Sequence, residues 1–314
     1  MNKYLVTGGA GFIGSNIVKK LLELGEFVRV VDNLSTGKKE NVKEFFGNPN
    51  FEFIEGDLTD LDVAKKSVVG IDFVLHQAAV PSVPRSIEDP IRSNNANINA
   101  TLNILVAARD AGVKKVVYAS SSSIYGDNPE LPKREDFPIR PISPYALTKY
   151  AGERYCQIFY NIYGLPTVCL RYFNVFGPKQ DPFSQYSAVI PKFINCFLKN
   201  ESPIIYGTGE QSRDFTYVDN VVEANLLAAN SKDGNGEVFN IACSEQISLN
   251  QLIGFLSEIT AKNIKADYQE QRQGDVLHSK ADISKIQKVF DYTPKVKFEE
   301  GLKKTFDWYA NLQV

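Results

Sequence analysis

Lys3-Tyr4-Leu5-Val6-Thr7-Gly8-Gly9-Ala10-Gly11-Phe12-Ile13-Gly14 decides how this chain is read. Its first four residues make a short apolar run that reads as a buried strand, and the run turns directly into glycines. Ile13, Ile17, Leu21 and Leu24 then recur at helical spacing, with Gly25 as the stop. Gly8, Gly11 and Gly14 are spaced GxxGxxG rather than GxGxxG, but the physics is shared. Glycine permits the tight turn, lets backbone N–H groups approach a pyrophosphate, and lets the helix pack closely on the strand. A second apolar run, Phe27-Val28-Arg29-Val30-Val31, ends in Asp32, 18 residues beyond Gly14. A carboxylate at that strand end accepts both hydroxyls of an adenosine ribose and repels a 2′-phosphate. The pattern therefore predicts a dinucleotide site that takes NAD rather than NADP.

Outward from this unit, apolar strand-like runs recur near residues 3–6, 27–31, 51–54, 72–76, 115–119 and 167–171. Helix-like stretches separate them, most clearly 95–112 and 144–163. The alternation predicts an α/β fold, a Rossmann-type doubly wound parallel sheet. Ligands of such sheets bind at the carboxyl ends of the strands. Asp32, Asp57, Gln77-Ala78-Ala79, Ser121 and Tyr172-Phe173 all fall just past strand ends and are expected to line one crevice. After residue 173 the pattern loosens. Pro178 to Ser187 reads as a polar loop, and helices near 187–199, 248–260 and 298–311 alternate with short runs such as Ile204 to Tyr206. No internal repeat or low-complexity linker is visible. The expected organisation is an NAD-binding domain over 1–173, to which 216–241 returns, and a smaller C-terminal α/β substrate-binding lobe over 174–215 and 242–314.

At 314 residues the chain can bury a sizeable core. Its 35 basic and 37 acidic residues nearly cancel, and no long basic run gives electrostatic support to a nucleic acid or membrane partner. No apolar run approaches the ~18 residues of a membrane span, and the N-terminus enters a strand at once, leaving no room for a signal peptide. Cys156, Cys169, Cys196 and Cys243 are widely spaced in apolar surroundings and are expected to be buried thiols of a cytoplasmic protein. The only histidines are His76 and His278, so neither a multi-histidine metal site nor a Ser–His triad is expected. A catalytic proton must be carried by another group.

Tyr145-Ala146-Leu147-Thr148-Lys149 supplies one. Residues four apart lie on one helix face, about one turn from each other. A phenol titrating near ~10 is a poor base at neutral pH, but an ammonium ion nearby favours the phenolate. Upstream, Ser120 to Ser123 precede Ile124-Tyr125-Gly126 and offer hydroxyls for a substrate oxygen.

Together these residues resemble the extended short-chain dehydrogenase/reductase superfamily, in particular the UDP-hexose 4-epimerases and most of all their UDP-N-acetylglucosamine branch. The resemblance covers nearly the whole chain. It rests on Thr7 to Gly14, Asp32-Asn33-Leu34, Gly56-Asp57-Leu58, His76 to Ala79, Ser121 to Gly126, Tyr145 to Lys149, Arg171 to Asn174, Ser212-Arg213-Asp214-Phe215 and Arg272-Gln273-Gly274-Asp275. It implies NAD as cofactor, a homodimer, and these roles. Gly8, Gly11, Gly14, Phe12 and Ile13 sit at the pyrophosphate. Asp32, Asn33, Ser35, Thr36 and Gly37 surround the adenosine ribose, and Asp57 and Leu58 the adenine. Gln77, Ala78 and Ala79 line the cofactor, Lys149 bonds the nicotinamide ribose, and Phe173 packs near the nicotinamide. Asn174 and Val189 touch the sugar nucleotide, while Arg213 and Arg272 clamp its diphosphate, for which guanidinium forks are well shaped. Tyr145, Lys149 and one hydroxyl of the polyserine are catalytic. Counting back from Tyr125-Gly126 favours Ser121, with Ser123 also facing the substrate because alternate strand residues share a face. The family often has Asn-Val-x-Gly-Thr where this chain has Asn97-Ile98-Asn99-Ala100-Thr101.

The same scaffold hosts epimerases, 4,6-dehydratases and decarboxylases, so the residues at the sugar decide. Dehydratase relatives carry Asp and Glu between the catalytic hydroxyl and the Tyr-Gly, and decarboxylating relatives carry a Glu. This chain has Ser122, Ser123 and Ile124 there, which leaves oxidation at C4 without groups for elimination. The expected activity is 4-epimerisation of a UDP-hexose. UDP-glucuronate is a second candidate substrate, and an NAD-sensing binding protein is the reading from another class. Ser279 stands where some relatives restricted to non-acetylated sugars have Tyr, leaving room beside the C2 substituent. Ser82 and Ser86 resemble hydroxyls of the acetylamino-sugar branch. The sequence thus points to UDP-GlcNAc and UDP-GalNAc, with UDP-Glc and UDP-Gal as further candidates.

Overall fold

The computed structural model describes residues 1–181, 188–270 and 277–312. The first half alternates strand and helix: β1 (Lys3–Thr7), α1 (Phe12–Glu23), β2 (Phe27–Asp32), β3 (Phe51–Glu55), α2 (Leu61–Val68) and β4 (Phe73–His76). Next come α3 (Val83–Glu88), α4 (Pro90–Asn94), α5 (Ala100–Asp110), β5 (Lys115–Ser121), α6 (Pro144–Tyr163) and β6 (Thr167–Tyr172). The second half contains β7 (Val175–Phe176), α7 (Val189–Lys199), β8 (Ile204–Tyr206), β9 (Ser212–Arg213), β10 (Thr216–Tyr217), α8 (Val218–Asn230) and β11 (Glu237–Ile241). It closes with β12 (Ile247–Ser248), α9 (Leu249–Thr260), β13 (Asp267–Gln269), α10 (Ser284–Phe290) and α11 (Phe298–Leu312).

Seven strands form one parallel sheet in the order β11-β6-β5-β4-β1-β2-β3. The order reverses between β1 and β4, and the loops leaving those two strands diverge there to open a crevice. Register aligns the carboxyl ends: Thr7 lies opposite Val31 and His76, and Ser121 opposite Tyr172. Strand residues alternate between two apolar clusters, as a period of two requires. Tyr4 and Val6 pack on Ile17, Leu21 and Val221, whereas Leu5 joins Val74, Val116, Ala64 and Ile104 on the other face.

The first cluster continues into the smaller C-terminal α/β region, where three short strand pairs (β10–β7, β12–β9 and β13–β8) pack with α7, α9 and α11. Phe176, Phe215, Tyr217 and Phe298 form its aromatic centre, with ring centroids 5.4–6.2 Å apart. No described helix is long and apolar enough to cross a membrane.

The helix expected over 95–112 differs in two ways. It begins at Pro90, where Asp89 accepts the Arg92 N–H as N-cap and proline occupies the first turn. One turn of π-helix, Asn95–Asn99, then interrupts it before α5. Cys156 and Cys169 are buried as expected. Cys196 and Cys243 are partly exposed, the first within α7 but not among its buried residues, the second just past the end of β11.

Candidate active site

The glycine loop is shaped by contact distances. Gly8 has φ +63°, and a Cβ there would stand 2.8 Å from the Ala78 backbone. A Cβ on Gly14 would stand 2.2 Å from the Gly8 carbonyl oxygen. α1 can therefore press its first turn onto the loop only because both positions lack side chains. Gly11 is the N-cap of α1 and brings no side-chain acceptor, so the N–H groups at Phe12 and Ile13 point out of the helix start toward the crevice.

Asp32 closes the next side of that crevice. It is buried at the end of β2, with Oδ2 accepting the Ala10 N–H at 3.0 Å and Oδ1 the Leu34 N–H at 2.8 Å. Burial raises its carboxyl pKa, and the two N–H bonds act against that rise. Gly37 lies so close that a Cβ there would meet both carboxylate oxygens at 2.9–3.0 Å. Asn33 donates to Asp57 at 2.8 Å, while Ser35 and Thr36 are exposed at the rim. Partial burial pushes the Asp57 carboxyl up, but donors from Thr59 and Asn33 outweigh it and hold the pKa below its ordinary value. Leu58 is buried in the core beneath. On the β4 side, Ala78 N–H donates to Thr7 Oγ1, and the Gln77 amide joins Asn225 and Tyr172 in one network. Ala79 continues the same loop.

α6 carries Tyr145 and Lys149 one turn apart on its inner face. Ser143 caps the helix by accepting the Ala146 N–H, and Pro144 opens it. Burial raises the Tyr145 pKa, and a hydrogen bond with Ser121 pulls it back. Ser121 Oγ also accepts from the N–H and the hydroxyl of Ser123, at 3.2 and 3.0 Å. Lys149 is 4 % exposed; its Nζ donates to the Ala119 carbonyl at 2.8 Å and stands 5.2 Å from the Tyr118 ring centre. Burial brings its pKa down to about 8. The phenol is thus held by Ser121 while the ammonium faces the sheet, and the upward shift at Tyr145 differs from the phenolate expected of the isolated pair. Buried His76, held between Thr7 and Thr101, has a pKa pushed down to about 3 by burial and by Lys149, so it stays neutral.

A cleft of about 390 Å³ is lined by Ser121, Ser123, Tyr145, Phe173, Asn174, Arg213 and Ser279, with Ile13 from α1. An adjoining cavity of about 330 Å³ shares Asn174 and Arg213 and adds Val189. Ser82 is not among the described residues lining that cleft. It has φ 102°, caps α3, and accepts the Arg85 N–H at 3.4 Å. Arg272 lies outside the described residues.

A strand, a glycine loop pressed on a helix and a Tyr–Lys helix facing a serine strand end are one arrangement. A model described as the NAD dependent epimerase/dehydratase family matches residues 4–242. The chain belongs to this family. It is 44% identical to a UDP-N-acetylglucosamine 4-epimerase from Methanobrevibacter ruminantium, solved in complex with UDP-N-acetylmuramic acid, over 99% of both chains with a TM-score of 0.95. A Thermotoga maritima UDP-glucose 4-epimerase solved with UDP-glucose is 41% identical over 99% of this chain and 100% of that one, with a TM-score of 0.93. A putative UDP-glucose 4-epimerase of Methanocaldococcus jannaschii is 41% identical over 98% of each.

As an NAD dependent epimerase/dehydratase, the chain takes NAD as its cofactor. The residues fit it: a cradle that a Cβ at Gly8 or Gly14 would fill, a helix start with outward N–H groups, and a buried carboxylate at the end of β2. Three further residues support this epimerase-family site: Ser86 and Asn97, whose contacts here the sequence did not show, and Lys133, which it did not single out. Buried Ser86 accepts the Tyr145 N–H at 3.0 Å and donates to the Val83 carbonyl, fixing where α6 begins. Asn97, turned inward by the π-helical turn, bonds both the N–H and the carbonyl of Val80 and donates to Thr148 beside Lys149. Lys133, 5 % exposed, also lines the cleft. The contact of Ser86 with Tyr145 spans 59 residues and leaves no spacing signal, and Lys133 belongs to no motif in the sequence.

Proposed function

We propose that this NAD-dependent UDP-sugar 4-epimerase interconverts UDP-GlcNAc and UDP-GalNAc, with UDP-Glc and UDP-Gal as further substrates. The observation that carries the choice of sugar is Ser279, a small side chain lining the same cleft as Ser121 and Tyr145. Bound NAD supplies a hydride acceptor and donor for C4. Ser121 holds O4, and Tyr145 takes the O4 proton as the 4-keto sugar forms and gives it back to O4 when the hydride returns to the opposite face of C4. Lys149 contributes positive charge behind the phenol. Arg213, with Arg272, holds the diphosphate while the keto sugar turns over. The absence of a carboxylate at Ser122, Ser123 and Ile124 supports epimerisation rather than elimination. Residues 174–215 and 242–314 serve as the substrate lobe in this reading, and free thiols at all four cysteines suit a cytoplasmic homodimer.

A second reading, UDP-glucuronate, is favoured by Lys133. Lys133 lines the cleft, donates to the Asn128 carbonyl and forms no ion pair among the described residues, leaving donors for a sugar carboxylate. Turnover of UDP-GlcNAc, UDP-Glc and UDP-GlcA with product identification separates the two. Ser279→Tyr is expected to depress turnover of acetylated sugars by about tenfold or more relative to plain ones, since a phenol ring fills space that binding needs. Equal loss on both, or wild-type inactivity with UDP-GlcNAc, would sink the acetylated-sugar reading.

A further inference from the structure

Of the Ser212-Arg213-Asp214-Phe215 motif, the reaction described above uses only the arginine. Asp214 is 0 % exposed, and the groups meeting its carboxylate are main-chain N–H donors. Cys243 N–H donates to Oδ1 and Ala281 N–H to Oδ2, each at 3.0 Å, and the Ser244 and Glu245 N–H groups add to the set. One side chain thus ties three separate segments together: the strand end at 212–214, the turn after β11, and the stretch 277–281.

Each tied segment adjoins a residue that lines the cleft. Ser279 N–H donates to the Ser212 carbonyl at 3.0 Å, and Ser212 N–H to the Leu277 carbonyl at 2.9 Å, so the 277–281 stretch lies alongside β9. The same Leu277 carbonyl accepts from Arg213 Nη1 at 3.2 Å, which aims the guanidinium. The Asp214 carbonyl accepts from Asn174 Nδ2 at 3.3 Å, while the Asn174 carbonyl accepts the Thr216 N–H at 3.2 Å. That bracket holds Asn174 at φ 34°, a left-handed conformation that a non-glycine residue adopts only when its surroundings impose it.

We propose that Asp214 is a positioning residue for substrate binding, a buried pin that fixes Arg213, Asn174 and Ser279 relative to one another. A carboxylate is required because both oxygens face N–H donors. An amide would turn its own N–H groups toward Cys243 or Ala281 and release one segment. Burial lifts the Asp214 carboxyl to about 6 against four opposing N–H groups, which marks a charge kept inside for its hydrogen bonds rather than for an ion pair.

The inference rests on the UDP-sugar reading, and the experiment separates the two. Steady-state kinetics with UDP-GlcNAc and calorimetric binding of UDP are compared for the NAD-loaded wild type and Asp214→Asn. Loss of ground-state positioning predicts KM and the UDP Kd raised about tenfold or more, kcat within about twofold, and NAD content unchanged. Wild type that binds neither UDP nor any UDP-sugar would overturn the reading and the inference together. A variant matching a competent wild type in KM and Kd would overturn the inference alone. So would a fall in melting temperature and NAD content with KM unchanged in the folded fraction, since Asp214 would then serve the fold only. Should Asp214→Asn fail to fold, amide exchange in the wild type decides. If the pin and the ligand residues act as one unit, linkage requires UDP to slow exchange at Cys243 and Ala281, neither of which lines the cleft described above. Unchanged exchange at both amides would overturn the proposal.

Discussion

Burial and the Ser121 hydroxyl pull the Tyr145 phenol in opposite directions, and burial prevails. A group tuned that way holds its proton until a substrate oxygen and nearby positive charge change the balance, which suits a base that must also act as an acid. Tyr145→Phe keeps the ring and removes the acceptor, so turnover of UDP-sugar should drop at least ~10²-fold, while NAD content measured on denatured protein stays at the wild-type level. Wild-type turnover in this variant would refute the assignment. Lys149 adds a pH signature of its own. Its pKa falls from 10.5 to about 8 on folding, so between those values the unfolded chain holds a proton that the folded chain has released. The sign follows: wild-type stability rises with pH over that window. Urea unfolding of wild type and Lys149→Met at pH 7 and pH 10 should show the difference moving in favour of wild type at the higher pH. A pH-independent difference would show that Lys149 titrates normally. Tyr145, Lys149 and Ser121 were legible because one helical turn and one strand end contain their meaning. The positioning contacts of Ser86 and Asp214 were not, since those partners lie 59 and 67 residues away and meet only once the chain has folded.

Between β1 and α1, the loop works by what its glycines lack. A methyl group at Gly14 would need to stand 2.2 Å from the Gly8 oxygen, so α1 must withdraw from the loop that its N–H groups overlook. Overpacking of this kind costs about 1–3 kcal/mol, and about 1.4 kcal/mol is already tenfold in affinity. Gly14→Ala should therefore retain about a tenth or less of the wild-type NAD after purification, with its far-UV spectrum unchanged. Full NAD retention would mean that the close approach is not needed for the cofactor. Central strands such as β1, β5 and β6 were readable because they are largely buried and appear as short apolar runs, and α6, α9 and α11 because their inward stripes repeat at helical spacing. The π-helical turn at Asn95–Asn99 left no such trace. Its reason is the pair of hydrogen bonds from Asn97 to Val80, a contact across space. The start of that helix was missed too, since Ile91, Arg92, Asn94 and Asn95 are exposed and show no apolar period.

Across the whole molecule, two neighbouring helices carry large exposed apolar side chains on their outer sides. α6 turns Tyr145 and Lys149 inward and presents Leu147, Ile158 and Ile162 outward, at 54 %, 39 % and 69 % exposure. Beside it, the helix from Pro90 to Asp110 shows Ile91 at 74 %, with Ile98 and Leu102 partly exposed along the same flank. Several large exposed apolar side chains on adjoining helices make this flank a candidate association face. A two-fold pairing of two such helices per subunit would cover it with the same face of a second copy, since an isologous interface must be self-complementary. The enzyme is therefore expected to sediment as a dimer. The double variant Leu147→Glu/Ile158→Glu places like charges against each other across the two-fold and should sediment as a monomer with its NAD still bound, because neither side chain reaches the crevice. Its turnover should fall less than that of Tyr145→Phe: α6 keeps its inner contacts with Ser86, Asn97 and Tyr118 but loses its outer support. A wild-type protein that sediments as a monomer, or a double variant that remains dimeric, would show that this face serves something other than a second copy of the chain.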